Sequence, residues 1–137
     1  MRAPITRIQK CAWAFAAMFL FVYLLDYVPG IMDANGKMFG LFSMTLIVDL
    51  GHLALGALAV IGAWISAKAS RIYFYTVVVW YSIDVIIYFF SHLGQISLLT
   101  NVLVNTPHIL ITIVAFWIAL NVDRPQPAIV HATHGNS

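Results

Sequence analysis

Residues 45–67 of the chain read TLIVDLGHLALGALAVIGAWISA. This stretch contains no Lys, Arg or Glu, and Asp49 is its one carboxylate. About 20 apolar residues suffice to cross the hydrocarbon core of a bilayer. Because lipid cannot satisfy backbone polar groups, such a segment has to be helical. The stretch therefore predicts a transmembrane helix, which we extend over residues 39–67.

Three further apolar runs accompany this one, at residues 11–28, 72–90 and 98–120. The whole chain of 137 residues is 62% apolar and only 9% charged, whereas soluble domains are about 25% charged. This composition excludes a soluble globular protein. We predict an all-α, polytopic membrane four-helix bundle over residues 11–120, between an N-terminal segment (1–10) and a disordered tail (121–137).

Basic residues predict the orientation of the bundle, because Lys and Arg favour the cytoplasmic side of a membrane. Lys37 alone lies between the first two runs, and the other basic residues fall on the opposite side: Arg2, Arg7, Lys10, Lys68, Arg71 and Arg124. Both termini are therefore expected in the cytoplasm. The basic residues form no stripe, so nucleic acid is not an expected partner.

Polar residues recur at a fixed interval within the apolar runs. Thr45, Asp49, His52 and Gly56 are repeated 56 positions later, and the matching residues are Asn101, Asn105, His108 and Thr112. Tyr23-x-x-Asp26 recurs in the third run as Tyr81-x-x-Asp84. The spacing predicts two tandem helix-pair repeats, related by an axis along the membrane normal.

Three of the five aspartates lie inside the apolar runs, where a charge is costly and by default faces the bundle interior. In the predicted orientation they share one depth with His52, Asn105 and His108, between the outer interface and the midplane. We therefore expect a single buried polar cluster in the outward half of the bundle.

A metal site is our first interpretation of this cluster, because paired carboxylate-x-x-His helices hold metals in four-helix bundles. Imidazole and carboxylate ligands suit zinc, iron or manganese. One transition metal ion is expected, on Asp26, Asp49, His52, Asp84, Asn105 and His108. The side chains expected to orient these ligands are Tyr23, Thr45, Tyr81 and Asn101.

Two alternatives stay open. His52 and His108 could be the axial ligands of a b-type haem. Alternatively, the polar side chains form a structural hydrogen-bonded core, and the protein is a non-enzymatic accessory or scaffold subunit of a larger membrane complex, or forms a homo-oligomer. The familiar hydrolase and nucleotide-binding motifs are absent, so the sequence assigns no reaction.

Three short motifs carry a family resemblance: Gly40-Leu-Phe, Asp49-Leu-Gly-His52-Leu-Ala-Leu-Gly56 and Asn105-Thr-Pro-His108. Over residues 36–120 the chain resembles small four-helix bacterial membrane proteins that are grouped as a domain of unknown function. The resemblance implies a bacterial inner-membrane location and four helices, but no activity. Such proteins tend to have Asn at position 49, so Asp49 makes this cluster more anionic.

Overall fold

The computed structural model describes residues 4–124. In this part of the chain there are four helices, α1 (Arg7–Leu25), α2 (Leu46–Ile65), α3 (Ala67–Ser91) and α4 (Leu98–Asn121). Two short strands, β1 (Lys37–Met38) and β2 (Phe42–Ser43), form an antiparallel hairpin between α1 and α2. Each helix is long and apolar enough to span a membrane. The predicted all-helical, four-helix architecture is confirmed, and residues 125–137 of the predicted tail lie outside the described residues.

Helix α1 begins earlier and ends earlier than the sequence predicts. Thr6 and Gln9 form a capping box, in which the backbone N–H of Thr6 donates to Gln9 Oε1 at 3.0 Å. These bonds satisfy donors that the first helical turn leaves free, so the helix begins at Arg7 and not at residue 11. At its other end α1 stops at Leu25 and Asp26 is the C-cap, so the predicted extension to residue 28 is wrong.

Helix α2 begins at Leu46, after its N-cap Thr45, and not at residue 39 as predicted. Residues 39–44 belong to the hairpin instead. Phe39 and Gly40 have φ angles of 53° and 72°. A helix cannot continue through this left-handed conformation, so two successive residues there end any helical run.

The connection between α2 and α3 is a single residue. Ser66 is the C-cap of α2 and also the N-cap of α3, where its side chain accepts from the backbone N–H of Ala69 at 3.1 Å. The Ser70 hydroxyl then donates to the carbonyl of Gly62 at 3.0 Å. Helix α3 therefore begins at Ala67, whereas the sequence predicts residue 72; α4 begins at residue 98 as predicted.

The two ends of the bundle differ in how they are closed. At one end, which we call the terminal end, the backbone N–H of Ile8 donates to Asp123 Oδ2 at 2.8 Å, and Gln9 Nε2 donates to the carbonyl of Ala63 at 2.8 Å. Arg71 Nη2 donates to the carbonyls of Val122 and Asp123 at 2.7 and 2.8 Å. These bonds join the two ends of the described chain to the α2–α3 turn. The opposite end carries β1 and β2 and is called the hairpin end.

Aromatic and small side chains fill the core between the two ends. Phe15 and Phe74 meet edge-on with centroids 5.0 Å apart, and Phe19 stacks on Tyr81 at 5.9 Å. Gly56 permits a close approach of α1 and α2, since an added Cβ would lie 2.9 Å from the Leu20 side chain. Helix α1 packs most extensively on α2, and α3 on α4.

Candidate functional site

A cavity of about 300 Å³ lies at the hairpin end, between the four helices. Helix α1 contributes Met18 and Phe19 to its wall, and the segment from Met38 to Met44 contributes mainly apolar side chains. Met38 is buried, with 4% of its surface exposed. Four polar side chains of the predicted cluster also line the cavity: His52, Asp84, Asn105 and His108.

His108 and Asp84 form a direct pair across α3 and α4. The Nδ1 atom of His108 lies 2.8 Å from Asp84 Oδ2. An ionised carboxylate only accepts hydrogen bonds, so Nδ1 of His108 is the donor in this pair. When the ring is neutral, Nε2 is an acceptor, and no described residue donates to it. The imidazole is also held by Tyr81, whose ring centroid lies 4.6 Å away. The pair therefore presents a fixed imidazole to the cavity.

The ring of His52, on α2, is held in the same way, through a hydrogen bond at Nδ1. Its Nδ1 lies 2.9 Å from the carbonyl oxygen of Val48. Because a carbonyl can only accept, this nitrogen is the donor and Nε2 of the neutral ring is an acceptor. Neither His52 Nε2 nor His108 Nε2 has a hydrogen-bond partner among residues 4–124.

Asn105 completes the polar part of the cavity wall. Its Nδ2 donates to the backbone carbonyl of Asn101 at 2.8 Å and to Asn101 Oδ1 at 3.0 Å. Asn101 Nδ2 in turn donates to the carbonyl of Phe89 at 2.9 Å, which ties α4 to the end of α3. Both hydrogens of the Asn105 amide are thus engaged, and its oxygen is left to accept. The predicted orienting role of Asn101 fits these contacts.

Asp26 and Asp49 interact with each other, away from the cavity lining. Their carboxyl groups are near enough to influence each other electrostatically. Asp26 Oδ1 and Asp49 Oδ1 are nevertheless buried without a partner among the described residues. Two carboxyl groups in contact repel when both are ionised. The predicted ligand set is therefore divided into a carboxyl pair and the four side chains of the cavity.

The other predicted orienting residues lie apart from the cavity lining. The hydroxyl groups of Tyr23 and Tyr27 lie 3.0 Å apart, and Thr45 caps α2. Tyr81 touches His108 but also belongs to the buried core. Within residues 4–124, no three His, Cys, Asp or Glu side chains form a group able to hold a metal ion.

The apolar part of the cavity was not predicted from the sequence. Met38, Phe39 and Phe42 line it because the hairpin folds over the helix ends. The sequence places Phe39 and Phe42 in the helix predicted over residues 39–67, since they continue an apolar run, and leaves Met38 just before it. Gly36 and Gly40 were the available signal, because glycines with positive φ often mark tight turns.

Comparison of the chain with known protein families, with curated proteins and with solved structures gives no match. The chemistry of the cavity is therefore the basis for assigning a function. A concave, mainly apolar space with a few polar groups is the usual form of a small-molecule site. Here the polar atoms are two imidazoles, a carboxylate and an amide.

Proposed function

We propose that this integral membrane protein binds a small lipid-soluble molecule in the cavity at the hairpin end. The observation that carries the proposal is the cavity itself, with about 300 Å³ of space and mostly apolar walls. Ligand sites in proteins span roughly 300–1,000 Å³ and combine apolar walls with a few polar groups. The apolar walls would hold the hydrocarbon part of the ligand.

The polar groups of the cavity would orient the ligand. His52 and Asn105 are 8% and 2% exposed, so their rings and amide are fixed by packing as well as by hydrogen bonds. His108 is fixed by Asp84. Because these groups are held before a ligand arrives, little side-chain entropy is lost on binding. The arrangement therefore favours the binding of one particular polar head group over the filling of the cavity by water.

A transition metal ion is a second candidate occupant, favoured by the hydrogen bonds of the two histidines. Metal-binding histidines usually donate their second ring N–H to a carboxylate or a backbone carbonyl. His108 does so to Asp84 and His52 to Val48, which leaves both Nε2 atoms without a partner among the described residues. Zinc, iron or manganese on either nitrogen would need further ligands, because no three His, Cys, Asp or Glu side chains of the described residues form a metal-binding group. Two further predictions from the sequence concern the same residues. One is a b-type haem bound by the same two nitrogen atoms, and the other is a purely structural role in a larger complex.

The topology that we propose follows the sequence. Helices α1 and α2 form one repeat and α3 and α4 the other, in agreement with the extensive packing within each pair. Both termini face the cytoplasm, so the hairpin end faces outward. The resemblance to small bacterial membrane proteins makes the inner membrane the proposed location.

Cavity filling tests the proposal. Val104 lines the cavity from α4, so Val104→Phe would occupy the space of a ligand. Ile113→Phe is the matched control, because Ile113 lies on the same helix, is 59% exposed and does not line the cavity. Wild type and both variants are purified in lipid nanodiscs without chelator, and bound molecules are identified by mass spectrometry, elemental analysis and visible absorption.

We expect one lipid-soluble molecule in near-stoichiometric amount in wild type and Ile113→Phe, and its loss in a folded Val104→Phe. Stoichiometric metal that is lost in His52→Ala and His108→Ala would favour the metal site, and a Soret band would favour haem. Equal amounts of every molecule in all three samples would contradict the proposal. Co-purification of a larger assembly would then support the accessory-subunit role.

A further inference from the structure

The described polar side chains of the cavity offer hydrogen-bond acceptors almost exclusively. With both imidazoles neutral, His52 Nε2, His108 Nε2 and the Asn105 amide oxygen are acceptors without a donor among the described residues, because the N–H groups of all three side chains are already engaged. Among the described lining residues, the side-chain donors that remain are the hydroxyls of Ser43 and Tyr88, which also accept. A ligand that satisfies this wall has to donate hydrogen bonds.

The charge of the cavity wall also limits the kind of ligand that it can bind. Asp84 lines it with 45% of its side chain exposed, and no Lys or Arg is found among the described lining residues. A carboxylate in lipid is costly unless a cation pairs with it. The described part of the cavity therefore favours a positive ligand and disfavours an anion.

The apolar lining adds a third feature. Phe19, Phe39, Phe42 and Tyr88 bring four aromatic rings to the wall. The faces of such rings attract cations. The space of about 300 Å³ exceeds what a bare inorganic ion needs and matches a head group with an attached hydrocarbon part.

From these three observations we infer that the ligand is a lipophilic amine that binds as its ammonium cation. The ammonium pairs with Asp84, its remaining N–H groups, two at most, donate to acceptors among His52, His108 and Asn105, and its hydrocarbon part lies against the aromatic and methionine side chains of the hairpin end. No covalent step is involved. The inference rests on the proposed binding function and specifies the class of ligand.

A set of probes with the same eight-carbon alkyl chain separates the effect of charge from that of hydrogen-bond donation. Octylammonium has both, octyltrimethylammonium has charge without N–H donors, octanol donates without charge, and octanoate is an anion. Binding of each labelled probe is measured by equilibrium dialysis against zwitterionic nanodiscs containing the protein, with empty nanodiscs as background. Asp84→Asn removes the charge but keeps an acceptor, and Asp123→Asn makes the same change at the terminal end.

We expect octylammonium to bind best and octanoate not to bind above background. Asp84→Asn should weaken octylammonium binding by about tenfold, the loss typical of one hydrogen bond to a charged partner. Octanol binding should be unchanged by that variant, and Asp123→Asn should leave every probe unchanged. Loss of octylammonium binding in Val104→Phe but not in Ile113→Phe locates the probe in the cavity.

Two results would overturn the inference in distinguishable ways. If octanol or octanoate binds at least as tightly as octylammonium and is displaced by Val104→Phe, the ligand class is wrong and the binding function stands. If no probe distinguishes wild type from Val104→Phe, and no molecule co-purifies, the cavity is not a binding site and both proposals fail.

Discussion

The Nδ1 atom of His108 and the Oδ2 atom of Asp84 lie 2.8 Å apart, on two helices that are neighbours in sequence and in space. The two residues are 24 positions apart, and the turn between α3 and α4 brings them to the same level. The contact fixes the tautomer of the imidazole and stabilises the packing of α3 on α4.

Removing the acceptor from this pair should release the ring. In Asp84→Leu we expect ¹⁵N NMR to show a mixture of His108 tautomers, and unfolding to require about 1–3 kcal/mol less, because a polar ring nitrogen loses its partner. Asp84→Asn retains an acceptor oxygen and should keep the wild-type tautomer. His52 is an internal control, since its Nδ1 bonds to Val48. An unchanged His108 spectrum in Asp84→Leu would contradict the orienting role of Asp84.

The pair of Asp26 and Asp49 should cost stability, because both have a buried Oδ1 without a partner among residues 4–124. In Asp26→Asn the new amide can donate to the Asp49 carboxylate and the repulsion between the two groups is removed. We expect a higher melting temperature in detergent at pH 7, and a smaller gain for Asp26→Ala, which removes the charge but adds no donor. A lower melting temperature for Asp26→Asn would indicate that a bound cation stabilises the pair, as in the predicted metal site.

Two glycines of α2 differ in the space around them. An added Cβ at Gly56 would lie 2.9 Å from the Leu20 side chain, whereas at Gly51 nothing lies within 4 Å. Gly51→Ala should stabilise the helix by about 0.5–1 kcal/mol, and Gly56→Ala should instead lose about 1–3 kcal/mol through overpacking. Equal melting temperatures for the two variants would show that α1 and α2 do not require this close approach.

Arg71 should stabilise the terminal end. Its guanidinium donates to the carbonyl groups of Ala119, in the last turn of α4, and of Val122 and Asp123, which follow the helix. Arg71→Met removes all three bonds, and we expect a loss of about 2–4 kcal/mol, since bonds to a charged donor contribute more than neutral ones. Lys68→Met is the control, because Lys68 is an exposed cation of the same turn. Similar melting temperatures for the two variants would show that Arg71 does not stabilise the fold, and would leave it only a role in the orientation of the bundle in the membrane.

The sequence predicted the helices well and their ends less well, for local reasons. Hydropathy identifies apolar runs, and all four runs are helical over most of their length. It does not separate a helix from an apolar hairpin, so residues 39–44 were placed in α2. The left-handed backbone conformation of Phe39 and Gly40 decides where α2 begins. Hydropathy averaged over a window of residues contains no information on that conformation.

The candidate site was predicted in part. The spacing of His52 and His108 indicated that both rings lie at one level, and both line the cavity with Asp84 and Asn105. Helical periodicity could not show that Asp26 and Asp49 form a separate pair, because a helix face is too broad to fix which neighbours touch. The cavity itself could not be predicted from the sequence either, because it depends on how the hairpin packs against the helix ends.

The single-residue connection at Ser66 has a consequence for biogenesis. Since α1 packs mainly on α2 and α3 mainly on α4, each half of the chain has most of its contacts within itself. Contacts that are close in sequence form quickly. A translating ribosome can therefore deliver the chain to the bilayer as two successive helical hairpins, divided at Ser66. The cavity, whose wall includes residues from all four helices, exists only after the two hairpins have met.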